Sequence, residues 1–470
     1  MNQDLLFTSA TDLSRRIRSG EVSPVEVIEA VLQAVDLLNP QLNAFCTVTA
    51  EYAREMARVA EAAVLAGEPL GPLHGVPVSI KDIVLTNGVR TTRGSKRYEW
   101  YVPEEDAPIV QRLKDSGAIM IGKTTTPELG WKATTDSLLF GVTRNPWNTD
   151  LTPGGSSGGA AAAVASGLAP LAVGTDGGGS VRIPASFCGI YGLKPSFGRV
   201  PYYPASAVEP LSHAGPMTRS VADAALMLSV MAGPFEKDRN TLPATNTDYL
   251  AAVKHEVKGM RVAWSPDLGY ANVDPEVARL TRAAVEAFSE AGCHVEEIKT
   301  KFEDPLEIFS TMWLGGLWTA LGSDMEQWQE RTDPGLAEFL KQGEGIKMTD
   351  YVDATFRRTH YWQTMVPLFE TYDILLTPTL AVPAFEVGKV TPRDYPSTGV
   401  PWASWTPFTY PFNLTGQPAA TVPCGFTADG RPVGLQIVGR RYDDYTVLAA
   451  SAAFERGRPW QDRRPPTILG

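Results

Sequence analysis

The sequence predicts an α/β fold, and three observations carry that expectation. Short apolar runs of strand length alternate with helical patterns along most of the chain. No repeat of fixed period is present. Two glycine clusters flank one helix–strand unit near the middle of the chain, the place where such a fold presents a ligand site.

Taken in order, the first 40 residues read as two short helices. Ser23-Pro24-Val25-Glu26 has the form of a capping box with proline at the first helical position, and Asn39-Pro40 is expected to end that helix. Residues 75–80 (GVPVSI) and 118–122 (AIMIG) read as strands. Residues 280–291 read as a helix leading into a strand at 293–298, and DILL at 373–376 as a buried strand. Asp429-Gly430 between two apolar runs marks a hairpin, and residues 443–455 a closing helix. The stretch 301–372 lacks strand-like runs and carries Trp313, Trp318, Trp328 and Trp362. It reads as a helical insertion within a single domain spanning 1–470, its tryptophans serving as core in preference to touching substrate. The whole is expected to be a mixed sheet covered by helices on both faces.

Composition excludes several classes. The chain has 470 residues, 43% hydrophobic and 20% charged, with a formal net charge of −11. That is the profile of a globular protein able to bury a large core. An acidic chain without basic clusters argues against a nucleic-acid binder. The most apolar run, 158–173, is alanine-rich and broken by Gly167 and Pro170, so no membrane segment is expected. The N-terminus shows no apolar core of a secretory signal, which makes the cytoplasm the expected compartment. Cys46, Cys188, Cys293 and Cys424 lie far apart without ligand spacing, so neither a zinc site nor a disulfide framework is expected, and no cofactor is called for.

The chemistry is concentrated in 152–195, TPGGSSGGAAAAVASGLAPLAVGTDGGGSVRIPASFCGIYGLKP. Glycines beside serines can aim backbone N–H groups at one point, as a phosphate or an oxyanion requires. Taken singly, either cluster reads as well as a flexible surface loop. Topology brings them together. A helix at 160–166 begins just after the first cluster, and a strand at 171–174 ends just before the second, so both fall on one sheet edge. If the strand 75–80 runs parallel, Lys81 reaches the same edge as Ser156 and Ser180. A phosphate loop lacks its fingerprints here. A serine nucleophile with a lysine base fits better, provided burial lowers the lysine from about 10.4 towards 7–8. A Ser-His-Asp triad fits poorly: no G-x-S-x-G elbow exists, and His74, the one histidine near the centre, reads as a structural hydrogen bonder.

These residues carry a resemblance. Gly75-Val-Pro-Val-Ser-Ile-Lys81-Asp82, Pro153-Gly-Gly-Ser156-Ser157-Gly-Gly, Gly174-Thr-Asp-Gly-Gly-Gly-Ser180-Val-Arg182-Ile-Pro184-Ala and Phe187-Cys-Gly-Ile-Tyr-Gly-Leu-Lys-Pro195 are similar to the amidase signature family. Gly198-Arg199-Val200, His213-Ala-Gly-Pro-Met-Thr-Arg219, Asn413-Leu-Thr-Gly-Gln-Pro418 and Gly434-Leu-Gln-Ile-Val-Gly439 extend it over most of the chain. The separation of Ser156 and Ser180, 24 residues, agrees.

The resemblance implies hydrolysis of a carboxamide through an acyl-enzyme. Ser180 would be the nucleophile, Ser156 a bridging serine after a cis peptide, Lys81 the base and Ser157 a supporting residue. The N–H groups of Gly177, Gly178, Gly179 and Ser180 would form the oxyanion hole. Gly177 departs from the family, where many members carry a larger residue, so an effect on pocket shape is expected there. Asp176 and Arg182 are expected to hold the loop, with Thr152 and Lys194 as scaffold. Trp131, Trp402 and Trp405 are candidates for a substrate pocket, with core packing equally open. The expected partner is a small-molecule amide, and a homodimer stays open. The alternatives are a glutaminase subunit feeding a tRNA-charging partner, and an aryl-amide, carbamate or oligoamide hydrolase.

Overall fold

The computed structural model describes residues 3–396 and 399–468. Eleven strands build one mixed sheet: β1 (Phe45–Val48), β2 (Pro77–Lys81), β3 (Ile119–Thr124), β6 (Leu171–Asp176), β7 (Tyr191–Lys194), β8 (His213–Thr218), β9 (Arg261–Trp264), β10 (His294–Glu297), β11 (Ile374–Pro378), β12 (Ala419–Phe426) and β13 (Pro432–Gly439). The remaining pair, β4 (Asp136–Ser137) and β5 (Gly141–Val142), forms a small separate ladder. Across the large sheet the order is β1-β3-β2-β6-β8-β7-β12-β13-β11-β9-β10. β3, β2 and β6 run parallel, and so do β11, β9 and β10; antiparallel strands join the two groups.

Strand side chains alternate between two cores. Ile374 and Leu376 enter one and Leu375 the other; Ile437 and Val438 divide in the same way. Both faces are therefore dry and helix-covered, as the apolar strand runs require. The hairpin at Asp429-Gly430 joins antiparallel β12 and β13. The stretch 301–372 is helical, dominated by Leu306–Leu321 packed on Met348–Thr371. No helix among the described residues is long and apolar enough to cross a membrane.

The N-terminal region departs from expectation. Helices Gln3–Phe7, Ala10–Arg18 and Pro24–Leu42 replace the two short ones, and Pro40 lies inside the third. Proline removes one hydrogen bond near the helix end, where few remain to be lost. The Asn39 side chain compensates by accepting from the N–H groups of Ala44 and Phe45, at 2.8 Å each. Ser23 caps the helix by accepting from Val25 N at 2.9 Å, but the reciprocal half of a capping box is missing. The Ser23 hydroxyl instead donates to Glu61 at 2.5 Å.

Candidate active site

β2 and β6 are parallel neighbours with Ile80 opposite Val173, so Lys81 leaves the sheet on the edge where β6 delivers Asp176 and the second glycine cluster. The helix Gly158–Ala165 starts at that edge directly after Ser156 and Ser157. Lys81 is fully buried. Its amine hydrogen-bonds Ser156 Oγ at 2.6 Å and Thr175 Oγ1 at 2.8 Å. The Gly155–Ser156 peptide is cis. Gly130, at φ +72, passes so close that a Cβ there would stand 3.2 Å from Ser156 Oγ. The Ser157 hydroxyl bridges the backbone of Thr175, accepting from its N–H and donating to its carbonyl at 3.2 Å each, while Ser157 N donates to Ser180 O at 3.2 Å. Ser180 and Ser156 line one cavity, and the Ser180 hydroxyl has no hydrogen-bond partner among the described residues. Thr175 is the participant that sequence reasoning missed. Its signal was its place at the exit of the strand that carries the glycine cluster.

Burial lowers the Lys81 amine from its ordinary 10.5 to about 7, with the Asp176 charge pulling weakly the other way. Arg182 spends its charge on Asp176 at 2.9 Å, both side chains wholly buried. Burial alone would raise the Asp176 carboxyl, but Arg182, Lys194 and Asn413 outweigh it and hold the group well below the usual carboxylate range. Asp82 turns away from Lys81 and accepts from Thr92 N and Oγ1. Lys194 is buried scaffold, donating to Gln417 O; Thr152 Oγ1 accepts from Gly154 N at 3.1 Å. His74 Nε2 meets Ala60 O at 2.9 Å and takes no part in the centre.

The glycine loop corrects one expectation. Gly179 N donates to Asp176 Oδ1 at 2.8 Å, so this N–H is committed to the loop itself. The N–H groups of Gly177, Gly178 and Ser180 make no hydrogen bond among the described residues and are free to meet an oxyanion. At Gly177 a Cβ would stand 2.7 Å from the Trp313 ring, so the indole occupies the space a larger residue would need.

The cavity measures about 340 Å³. Its apolar wall includes Leu129, Val208, Trp313, Leu317 and Leu321. Trp131, Trp402 and Trp405 do not line it. Trp402 backs Trp313 with ring centres 5.4 Å apart, Trp405 stacks on Phe187 at 5.6 Å, and Trp131 packs on Phe339 at 5.8 Å. Trp313 is core as expected, buried in the same apolar cluster, and in addition forms a wall of the cavity. Leu306–Leu321 packs against the glycine edge, where Trp313 meets Gly177 and Phe309 meets Gly178. Among the described residues no group of three or more His, Cys, Asp or Glu could hold a metal ion.

The chain is similar to known proteins over nearly its whole length. The family model for amidases matches residues 26–448. An acylamidase of Rhodococcus erythropolis is 42% identical, covering 99% of each chain. One subunit of the glutamyl-tRNA(Gln) amidotransferase of Moorella thermoacetica is 37% identical over 98% of this chain and 99% of its own. The crystal structure of a bacterial aryl acylamidase of the amidase signature enzymes superimposes with a TM-score of 0.89 at 32% identity, covering 97% of each chain. With the match spanning nearly the whole sheet and both glycine clusters, the chain belongs to the amidase signature family.

Proposed function

We propose that the protein hydrolyses a carboxamide C–N bond through an acyl-enzyme on Ser180, releasing a carboxylate and an amine or ammonia. The observation that carries this reading is the buried Lys81 amine, lowered to about 7 and 2.6 Å from Ser156 Oγ, beside a cavity that Ser180 also lines. A lysine near 7 is neutral in a large fraction of molecules at physiological pH and can act as a base. Lys81 takes the Ser156 proton as Ser156 takes that of Ser180, and Ser180 Oγ attacks the carbonyl carbon. The N–H groups of Gly177, Gly178 and Ser180 receive the oxyanion, each worth about 3 kcal/mol in such a role. Ser156 gives a proton to the leaving nitrogen and regains one from the Lys81 ammonium; water, deprotonated through Ser156 and Lys81, then attacks the ester carbonyl, and Ser180 departs with a proton returned by the same relay. In this reading the helical stretch 301–372 is an insertion in a single domain, and Trp313, Leu317 and Leu321 form its share of the pocket.

The amidotransferase relatives favour a second reading, a glutaminase. It would need a carboxylate to pair the α-ammonium of glutamine, and among the described residues no Asp or Glu lines the cavity. The acylamidase relative and the apolar wall support an amide with an apolar acyl or aryl part. Purified protein offered butyranilide and glutamine separates the two. Anilide turnover that disappears in Ser180→Ala supports the first reading; ammonia from glutamine alone would overturn it.

A further inference from the structure

Among the described residues one charged side chain lines the cavity, Arg93, and nothing in the mechanism above uses it. We infer that Arg93 recognises a carboxylate carried by the amide substrate, so that the preferred substrates are anionic amides; this rests on the reading of Ser180 as an amidase nucleophile.

Among the described residues Arg93 lacks a polar protein partner: its guanidinium makes no ion pair and no hydrogen bond, and its Nε is buried without one. The protein's more deeply buried arginines are treated differently. Arg182 is paired to Asp176, and Arg199 to Asp444 at 3.2 Å. A buried donor without an acceptor is unfavourable, and a carboxylate is the group that satisfies an arginine fork through two parallel bonds.

Its placement is well defined. The guanidinium carbon lies 4.6 Å from the Tyr98 ring centre and 5.8 Å from that of Tyr101. Stacking on rings occupies the face of the fork and leaves its N–H edge available for a planar anion. Burial pushes the Tyr202 phenol, another cavity residue, up to about 12, and Arg93 is the charge that opposes the rise.

The backbone is fixed to the catalytic edge. Arg93 sits at φ 56, a left-handed conformation uncommon for a side-chain-bearing residue. Arg93 N donates to Asp82 O at 2.9 Å and Leu129 N donates to Arg93 O at 2.7 Å, while the Asp82 carboxylate holds Thr92. Asp82 directly follows Lys81, so recognition and chemistry share one anchor. Elsewhere the described lining mixes apolar side chains with the hydroxyls of Tyr202, Tyr203, Ser206 and Ser212 and carries no acid, which admits a single carboxylate and leaves a second, cationic group unpaired.

The test compares three amides of similar bulk: butyranilide, glutaranilic acid with a carboxylate on the acyl side, and para-butyramidobenzoate with one on the amine side. The expected result is a kcat/KM higher for one of the two acids than for butyranilide by on the order of 10- to 100-fold, the range of a charged hydrogen-bonded contact. That ratio should fall towards one in Arg93→Gln and be partly kept in Arg93→Lys, which retains the charge but not the fork. Should Arg93→Gln not fold, weaker competitive inhibition by glutarate in Arg93→Lys than in the wild type reports the same contact. Equal ratios in wild type and Arg93→Gln, or butyranilide preferred over both acids, would overturn the inference while leaving the amidase intact. No turnover of any of the three, with no fluorophosphonate adduct on Ser180, would remove the underlying reading and this inference with it.

Discussion

The Thr175 hydroxyl stands 2.8 Å from the Lys81 amine, and the backbone of the same threonine is clasped by Ser157. One residue therefore couples the base to the support of the glycine loop. Replacing it with valine keeps the shape and removes the polar contact. Thr175→Val should lower kcat/KM by about tenfold, the worth of one buried hydrogen bond, with Thr175→Ser restoring most of it. Near-wild-type kinetics for the valine variant would show that the contact is idle.

The Lys81 shift predicts a pH profile. The amine must be neutral to accept a proton, and burial lowers it to about 7 against the weaker pull of Asp176. On a neutral amide, kcat/KM should rise with pH along one limb of apparent pKa about 7 and level off above it. Lys81→Ala should remove the limb together with most of the rate.

The same shift makes Lys81 costly to the fold. Its folded pKa is depressed from 10.5 to about 7, so between those values the unfolded chain binds a proton that the folded chain has lost. Stability from this group therefore rises with pH across that window, and the cost is fully present below about 7. Lys81→Met should raise the thermal midpoint at pH 7, by roughly 2–4 kcal/mol in stability, with the gain shrinking towards pH 10. Melting curves of both proteins at the two pH values check the sign.

Much of this site was readable from residues alone, because Lys81, Ser156 and Ser180 lie in long runs whose strand–helix order places them on one edge. Thr175 was not readable: a threonine at a strand exit has no pattern that tells a ligand of the base from ordinary packing. Gly179 misled for a related reason. A glycine N–H beside a nucleophile looks free in sequence, but Asp176, three residues earlier, folds back and takes it. The tryptophans were ambiguous because composition does not say which face of a helix meets a cavity. Trp313 does so through the packing of Leu306–Leu321 on Gly177, a contact far apart in sequence. Pro40 looked like a terminator because the side-chain compensation by Asn39 depends on where the following strand begins.

The contact between Gly177 and Trp313 yields a coupled prediction. Gly177→Ala drives a methyl group into the indole, whose nearest atom would lie 2.7 Å away. Activity on butyranilide should fall by about tenfold or more, and Trp313→Leu in the same chain should recover part of it. Strict additivity of the two changes in a double-mutant cycle would contradict the contact.

Asp176 holds Arg182 and the N–H groups of Gly179 and Val181, at 2.8 Å for Gly179 and 3.2 Å for Val181. Removing the carboxylate leaves a buried guanidinium without its counter-charge. Asp176→Ala should lose about 3–5 kcal/mol of stability, seen as a lower urea midpoint with little change in slope.

The claim on which the rest depends is that Ser180 carries the acyl group. Wild-type protein quenched with acid during turnover of butyranilide, digested and analysed by tandem mass spectrometry, tests it directly. The account predicts a butyryl group on the peptide containing Ser180, localised to that residue and missing from Ser180→Ala. A butyryl group on Ser156 or Ser157 instead, or unchanged turnover by Ser180→Ala, would contradict it.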